Sequence, residues 1–499
     1  MTKASAYNVL EDYYRQYYTL NDCLAVLSWD MASMMPQGGM ESRAQQMALL
    51  KVMAHDILMR PDIADLFDAS LSDKTLNALQ KSNVREMQRV WINQTLIEKK
   101  LVEALSLACS RCEATWREAR QKSDFQMVLP FLQEVLNLTR QSAMMKAEKL
   151  GCSFYDALLD YYEPGSKSTD IDPIFDNYSN FLPDFLEQVL TFQASLPAPL
   201  PISGPFKVSD QKDLGIKIMK SLGFDFNHGR LDTSIHPFCG GVPDDVRLTT
   251  RYTEDDFMPA FMGIVHETGH ALYEQHLPKE WRYQPVGMAR SMGIHESQSL
   301  FMEKQIGHSK AFAKFLAPLF MDSFKREGPA YTPDNIYRHL NQVKADFIRV
   351  NADEVTYPAH VILRYRLEKA LINQTMELKE LPDAWNKGMK SLLGVVPPND
   401  QMGCLQDIHW YDGAWGYFPT YTLGAMTAAQ LFAALSHDHP TIDQEIERGN
   451  FSTINTWLNK NIHLHGSSLE ISNLLVRATG KPLDPDIFKN HLKRRYLSN

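Results

Sequence analysis

Apolar positions recur at three- and four-residue spacing through most of the first 190 residues. Val9, Leu10, Tyr13, Tyr14 and Tyr17 share one face if the segment is helical, and that spacing is the mark of a half-buried helix. The same period runs through the Met-rich stretch from Met47 to Met59 and through residues 84–121, broken at Arg60-Pro61-Asp62 and Glu163-Pro164-Gly165. The proline-rich run from Leu196 to Pro205 reads as a loop, either a domain linker or a long surface connection within one domain.

Beyond that loop the period shortens to two. Leu231 to Phe238 and Asp245 to Tyr252 are predicted strands, with Cys239 to Pro243 as the turn of an antiparallel pair. In the second strand Val246, Leu248, Thr250 and Tyr252 alternate with Asp245, Arg247, Thr249 and Arg251, as one buried and one polar face require. Helices return from Thr253 and persist to the end. The fold class is therefore mostly α, with one small antiparallel sheet directly before the most informative helix.

Composition narrows the function. The chain has 499 residues, 44% of them hydrophobic and 22% charged, which excludes a disordered or collagen-like chain. Its net charge of −9 argues against a nucleic-acid partner, whose binder would be basic. Six scattered cysteines form no disulfide framework and fit a reducing, cytoplasmic compartment. Cys109 and Cys112, the one tight pair, read as small buried residues. The opening residues turn acidic and aromatic before an apolar leader could form, and no run of 18 apolar residues exists to span a membrane.

The chemistry sits in His266-Glu267-Thr268-Gly269-His270, an HExxH motif. Spacing of i, i+4 puts both imidazoles on one helix face, roughly 6 Å apart along the axis, where they can share one metal ion, typically zinc. Glu267 lies between them, placed to take a proton from the attacking water. Asp255 and Asp256 before Pro259 mark the entry of this helix, and Phe261, Met262, Ile264 and Val265 give it an apolar wall. A catalytic zinc site wants a third protein ligand. Glu296, 26 residues beyond His270 on a predicted returning helix, is the best candidate. His295 competes with it.

These residues and their neighbours resemble the carboxypeptidase Taq, or thermostable carboxypeptidase 1, family of metallocarboxypeptidases. The family's signatures appear in order: His236-Pro237-Phe238; Asp245, Arg247 and Thr249 of Asp-x-Arg-x-Thr; HExxH; His295-Glu296-Ser297; Ile348 to Asp353; and Gly403 to Trp410, with no departure at a motif position. The resemblance implies one spear-shaped, gluzincin-type helical domain with a central groove, akin to the angiotensin-converting enzyme and neurolysin folds. On that reading residues 1–499 are a single domain: 1–195 a helical N-terminal part, 196–252 loop and sheet, 253–430 metal site and groove, 431–499 C-terminal helices. It further implies a homodimer, Zn²⁺ with Co²⁺ as an alternative, and release of single residues from peptide C-termini with broad side-chain tolerance.

Roles follow from what peptide hydrolysis needs. His266, His270 and Glu296 are the expected metal ligands and Glu267 the general base. The free carboxylate of the substrate needs a cation, and Arg349 is the first choice because guanidinium matches carboxylate bidentately. Arg247 is the runner-up, and the resemblance implies His236 and Gln406 as further substrate contacts, with the strand motif and His-Pro-Phe shaping or blocking the groove end. An oxyanion site needs a His and a Tyr as donors, and within the aromatic run His409, Trp410, Tyr411, Trp415, Tyr417, Phe418 and Tyr421 the resemblance to the broader fold group implies His409 and Tyr421 in that role. Asp353 is expected to orient a ligand histidine. His437, His439, His463 and His465 read as solvated. An endopeptidase, a dipeptidyl-releasing enzyme and a non-catalytic peptide binder are the rival readings.

Overall fold

The computed structural model describes residues 5–498. The reading of the chain's opening as leader-free rests in part on Met1 to Ala4, which lie outside the described residues.

Among the described residues, nine α-helices precede the sheet: α1 (Ala6–Ser33), α2 (Met40–Leu58), α3 (Ile63–Ser72), α4 (Ala78–Thr95), α5 (Lys99–Lys122), α6 (Phe125–Leu150), α7 (Phe154–Tyr162), α8 (Ser168–Ala194) and α9 (Val208–Leu222). Their ends are chemically marked. Asn77 and Gln80 form a reciprocal capping box at α4, and Ser153 caps α7 through the amide of Asp156, satisfying amides that have no partner within the helix. In α1, Tyr7, Leu10, Tyr13 and Tyr14 are buried as the periodicity requires. They join Leu58, Ile63, Phe67, Val84 and Met87 in a small core of their own. α2 departs from expectation: only Ala54 and Leu58 of it are buried, while Met40, Leu49, Val52 and Met53 stay exposed.

The proline-rich loop is pinned rather than free. Asn335 accepts a hydrogen bond from the Leu200 amide (2.7 Å) and donates to the Leu200 carbonyl (3.0 Å), and Arg338 donates to the Pro197 carbonyl.

The sheet is mixed, which corrects the antiparallel expectation. Its strands are β1 (Gly229–Thr233), β2 (Cys239–Val242) and β3 (Asp245–Thr250), in the order β1-β3-β2. β1 runs parallel to β3 and β2 antiparallel to it. The segment expected to be a turn is thus strand β2, with the reversal at Pro243-Asp244. Gly240 and Gly241 weaken its strand signal in sequence. Along β3 the alternation holds from Asp245 to Leu248. Thr249 is buried as well, because its hydroxyl bonds the Phe238 amide and Ser234.

Eleven α-helices follow among the described residues: α10 (Met258–Gln275), α11 (Met292–Leu300), α12 (Lys310–Phe324), α13 (Pro333–Leu340), α14 (Tyr357–Ile372), α15 (Leu381–Leu393), α16 (Pro419–Asp438), α17 (Ile442–Glu447), α18 (Ser452–Asn461), α19 (Ile471–Thr479) and α20 (Pro485–Tyr496). α11 runs straight into a π-helical segment, Phe301–Gly307. The main hydrophobic core extends from α5 to α20 and surrounds α10 and α11. No helix among the described residues is long and apolar enough to cross a membrane.

Candidate metal centre and active site

α10 begins at Met258 with Pro259 in its first turn, and the Asp256 carboxylate accepts the Met258 amide at 3.0 Å. Phe261, Met262, Ile264 and Val265 are buried, so one face of the helix is fixed in the core and the other turns His266, Glu267 and His270 into a cavity. α11 returns against it, its amide of Ile294 capped by Ser291. The two helices touch backbone to backbone at Gly269: a Cβ there would lie 2.4 Å from the Gln298 carbonyl oxygen. On the other side α16 passes close at Gly424, where a Cβ would meet Glu296 at 2.9 Å.

This packing brings together the three expected ligands. His270 Nε2 lies 3.3 Å and His266 Nε2 3.8 Å from Glu296 Oε2, and one donor atom from each residue falls within 4.8 Å of the others. Tetrahedral donors at about 2.0–2.2 Å from zinc stand roughly 3.3–3.5 Å apart, so the set fits one small divalent ion. Both Nδ1 atoms point outward to partners. His266 Nδ1 is 2.7 Å from Glu303 Oε2, and His270 Nδ1 is 2.6 Å from His295 Nδ1, whose ring continues to Glu274 at 2.7 Å. His295 is thus an orienting neighbour and Glu296 the ligand candidate. Carboxylate-to-histidine contacts of this kind fix which ring nitrogen is free for the metal.

Burial and the neighbouring charges shift the three expected ligands and Glu267. Burial opposes charge on His266, but the hydrogen bond to Glu303 and the charge of Glu296 outweigh it and raise the imidazole to about 10. Burial lowers His270 to about 4. For Glu296 burial pushes upward, yet contact with His270 and His266 leaves the carboxyl below its usual value. Glu267 is raised to about 7 by burial, against the opposing pull of His266. A carboxyl poised near neutrality can accept and return a proton.

The ligands line a cavity of about 750 Å³ that also includes Pro237, Phe238, Lys304, Arg349, Tyr357 and Tyr421. A second cavity of about 690 Å³ shares Cys239, Met292, His295 and Tyr417 with it. Together they form one groove. Its second lobe is walled by Tyr17, Tyr18, Tyr161, Tyr162 and strand β2, which is an edge of the sheet.

The remaining sequence candidates divide. Arg349 reaches the cavity wall, but its Nε and Nη2 bind Asp407 Oδ1 at 3.0 and 2.8 Å and its Nη1 donates to Tyr357 Oη at 3.0 Å. Arg364 holds the other Asp407 oxygen at 2.6 Å. Tyr421 lines the cavity beneath Arg349, whose guanidinium lies 5.0 Å from its ring centre. His409 stands behind it: Nε2 is 3.3 Å from Tyr421 Oη, its ring packs on Phe418, and burial lowers it to about 4. It does not line the cavity, so its expected place as a direct oxyanion donor is corrected to a support for Tyr421.

Five further expectations are not met. Gln406 is consumed by backbone, accepting from the Arg349 amide and donating to the carbonyls of Phe347, Met402 and Gly403. Arg247 pairs with Asp245 and lies over Trp29 at 4.7 Å, away from the metal site. His236 is exposed, and only Pro237 and Phe238 of its motif line the cavity. Asp353 caps the amides of Lys344, Val355 and Thr356 and orients no histidine. His463 is not solvated either: it is 1% exposed and bonds Gln298 at 3.0 Å.

Glu303, Glu274, Asp407, Arg364 and Tyr357 were not singled out from sequence. For one of them a signal existed, since Glu274 is i+4 from His270, on the same helix face.

A sequence profile of the carboxypeptidase Taq (M32) metallopeptidase family matches residues 9–496. The chain belongs to that family. It is a metallocarboxypeptidase, a peptide hydrolase that depends on a divalent metal ion. Thermostable carboxypeptidase 1 of Pyrococcus furiosus is 34% identical over 97% of each chain. The Thermus thermophilus protein of the same name is 35% identical over 100% of this chain and 99% of the relative. Among solved structures, Trypanosoma cruzi metallocarboxypeptidase 1 superposes with a TM-score of 0.97 at 42% identity, covering 99% of both chains. This metallocarboxypeptidase therefore shares its relatives' fold along the whole length matched.

Proposed function

We propose that the protein removes single residues from the C-termini of peptides with broad side-chain tolerance, using Zn²⁺ (or Co²⁺) held by His266, His270 and Glu296. The observation that carries this reading is the convergence of those three donors beside a buried Glu267 raised to about 7. When bound, the ion polarises the scissile carbonyl and acidifies the attacking water. Glu267 takes the water's proton and hands it to the departing amine. Glu303 and the His295–Glu274 pair keep the two ligand imidazoles turned toward the centre. Tyr421, backed by His409, donates to the oxygen on which charge develops, with Tyr357 and Tyr417 beside it.

Arg349 is the anchor for the substrate carboxylate. Asp407 and Tyr357 engage three of its five N–H donors, which leaves two for a ligand in the cavity. The body of the peptide then follows the groove past His295 into the tyrosine-lined lobe, where the free edge of β2 offers backbone pairing. Pro237 and Phe238 stand in the wall of the metal lobe and favour end-trimming over internal cleavage. Arg349→Ala is expected to cut kcat/KM on a free-carboxylate peptide at least about 100-fold and to change cleavage of its amidated counterpart little. Equal losses on both peptides, or release of dipeptides or internal fragments, would defeat this reading.

A cytoplasmic setting fits six free cysteines, and peptides with free C-termini fit as partners where nucleic acid and membrane do not. A homodimer is supported by the exposed apolar positions Leu49, Val52 and Met53 on α2; sedimentation as a monomer at micromolar concentration would remove it.

A further inference from the structure

The basic end of the chain has a second use. Lys493-Arg494-Arg495 reads in sequence as cations at the end of a terminal helix, yet only 8% of the Arg495 side chain is exposed. Its guanidinium is folded over the end of the π-helical segment Phe301–Gly307. Nη1 donates to the Lys304 carbonyl and Nη2 to the Gln305 carbonyl at 3.1 Å. Those carbonyls belong to the segment's last turn, where a helix leaves its acceptors without intrahelical partners and where positive charge is favoured. The Ile306 carbonyl takes the amides of His308 and Ser309 instead.

The same π-helical segment carries Glu303. One Glu303 oxygen meets His266 at 2.7 Å and the other meets Lys304 Nζ at 2.6 Å. The carbonyl gripped by Arg495 is thus one residue from the carboxylate that aims a metal ligand. Glu354 locks the grip from the side: its buried carboxylate accepts from Arg495 (2.9 Å), Tyr496 (3.1 Å), Gln305 (3.1 Å) and sits 2.9 Å from His491. A π-helical turn is an uncommon conformation that recurs at functional sites, and here its end is held by a cation from α20, almost 200 residues away in sequence.

We infer that Arg495 is a positioning residue for the metal site, fixing the π-helical turn that presents Glu303 to His266. This rests on the metal-site reading above and adds to it a dependence of metal affinity on the C-terminal helix. Lysine at 495 keeps a charge against Glu354 but, as a point donor, cannot span both carbonyls and the carboxylate as the fork does. Tyr496→Phe removes one Glu354 contact of the same helix and touches neither carbonyl.

The test is zinc affinity of the purified full-length chain by chelator competition, with circular dichroism confirming the fold. Arg495→Lys is expected to weaken zinc binding about 10–100-fold, the usual effect of losing a partner behind a ligand, while Tyr496→Phe stays within about twofold of wild type. Because Arg495 acts through Glu303, Glu303→Gln combined with Arg495→Lys should bind zinc as weakly as Glu303→Gln alone. Wild-type affinity in Arg495→Lys, an equal loss in Tyr496→Phe, or additive losses in the double variant would overturn the inference. A wild-type chain that fails to bind zinc, or binds it equally with His266→Ala, would instead overturn the metal site itself.

Discussion

Gly269 is the residue whose enlargement should most cleanly separate packing from metal chemistry. In α10 it is the only member of HExxH with neither ligand nor proton-transfer chemistry apart from Thr268, and its missing side chain lets α11 approach. A Cβ would lie 2.4 Å from Gln298 O and 2.6 Å from Ser299 Cα. Both are backbone atoms, so no side chain can swing aside. Restoring ordinary contact requires α11 to retreat by about 1 Å, and Glu296 is carried on that helix. Its carboxylate is 3.3 Å from His270 Nε2, and a metal site tolerates donor displacements of only about 0.2 Å. Gly269→Ala should therefore cost about 1–3 kcal/mol of stability through overpacking and weaken zinc binding at least about tenfold. Gly263 provides the control on the same helix, since a Cβ there meets nothing within 4 Å. Gly263→Ala should gain up to about 1 kcal/mol from helix propensity and keep wild-type zinc affinity. Urea unfolding and chelator competition on both variants make the measurement. Zinc affinity in Gly269→Ala within about twofold of wild type would refute the claim that the α10–α11 approach sets the ligand geometry.

Three other outcomes are expected. Glu303→Gln should lower zinc affinity about 10–100-fold with little loss of melting temperature, as read by competition and calorimetry. Asp407→Asn leaves Arg349 and Arg364 facing each other without their shared carboxylate; breaking such a buried arrangement typically costs about 3–5 kcal/mol, and urea midpoints should show it. Glu163 is buried and raised from 4.5 to about 7, burial outweighing its bond from the Gly293 amide. Its folded form holds a proton that the unfolded chain has released between those values, so stability falls as pH rises from about 4.5 through 7. A shift of that size corresponds to about 3 kcal/mol, and Glu163→Gln should flatten the decline between pH 5 and 8; an unchanged slope would dismiss the assignment.

What could be read from the sequence follows the range of the interactions. His266, Glu267 and His270 announce themselves because i, i+4 spacing on a helix is a local rule, and Glu296 because a turn and a returning helix are local as well. The helical periodicity of α1 likewise appears directly in its buried tyrosines. The sheet was misread where β2 borrows its pairing from β3 and its glycines carry no strand propensity. Gln406, Arg247 and His236 are placed at the substrate by the resemblance, but Gln406 is taken up by backbone groups, Arg247 by Asp245 and Trp29, and His236 by solvent. Arg349 shows the same limit in milder form: its position was legible, while its pairing with Asp407, 58 residues on, was not. Glu303 was hidden by the change from α- to π-helical geometry just before it.

The central claim is that Glu267 moves the proton while His266, His270 and Glu296 hold the ion. It is tested most directly by comparing zinc content and peptide products of wild type and Glu267→Gln on the same free-carboxylate peptide. The account predicts equal zinc stoichiometry in both, with single-residue release by wild type and a rate in Glu267→Gln lower by about 10²–10⁴ or more. Near-wild-type release by Glu267→Gln with zinc in place would contradict it.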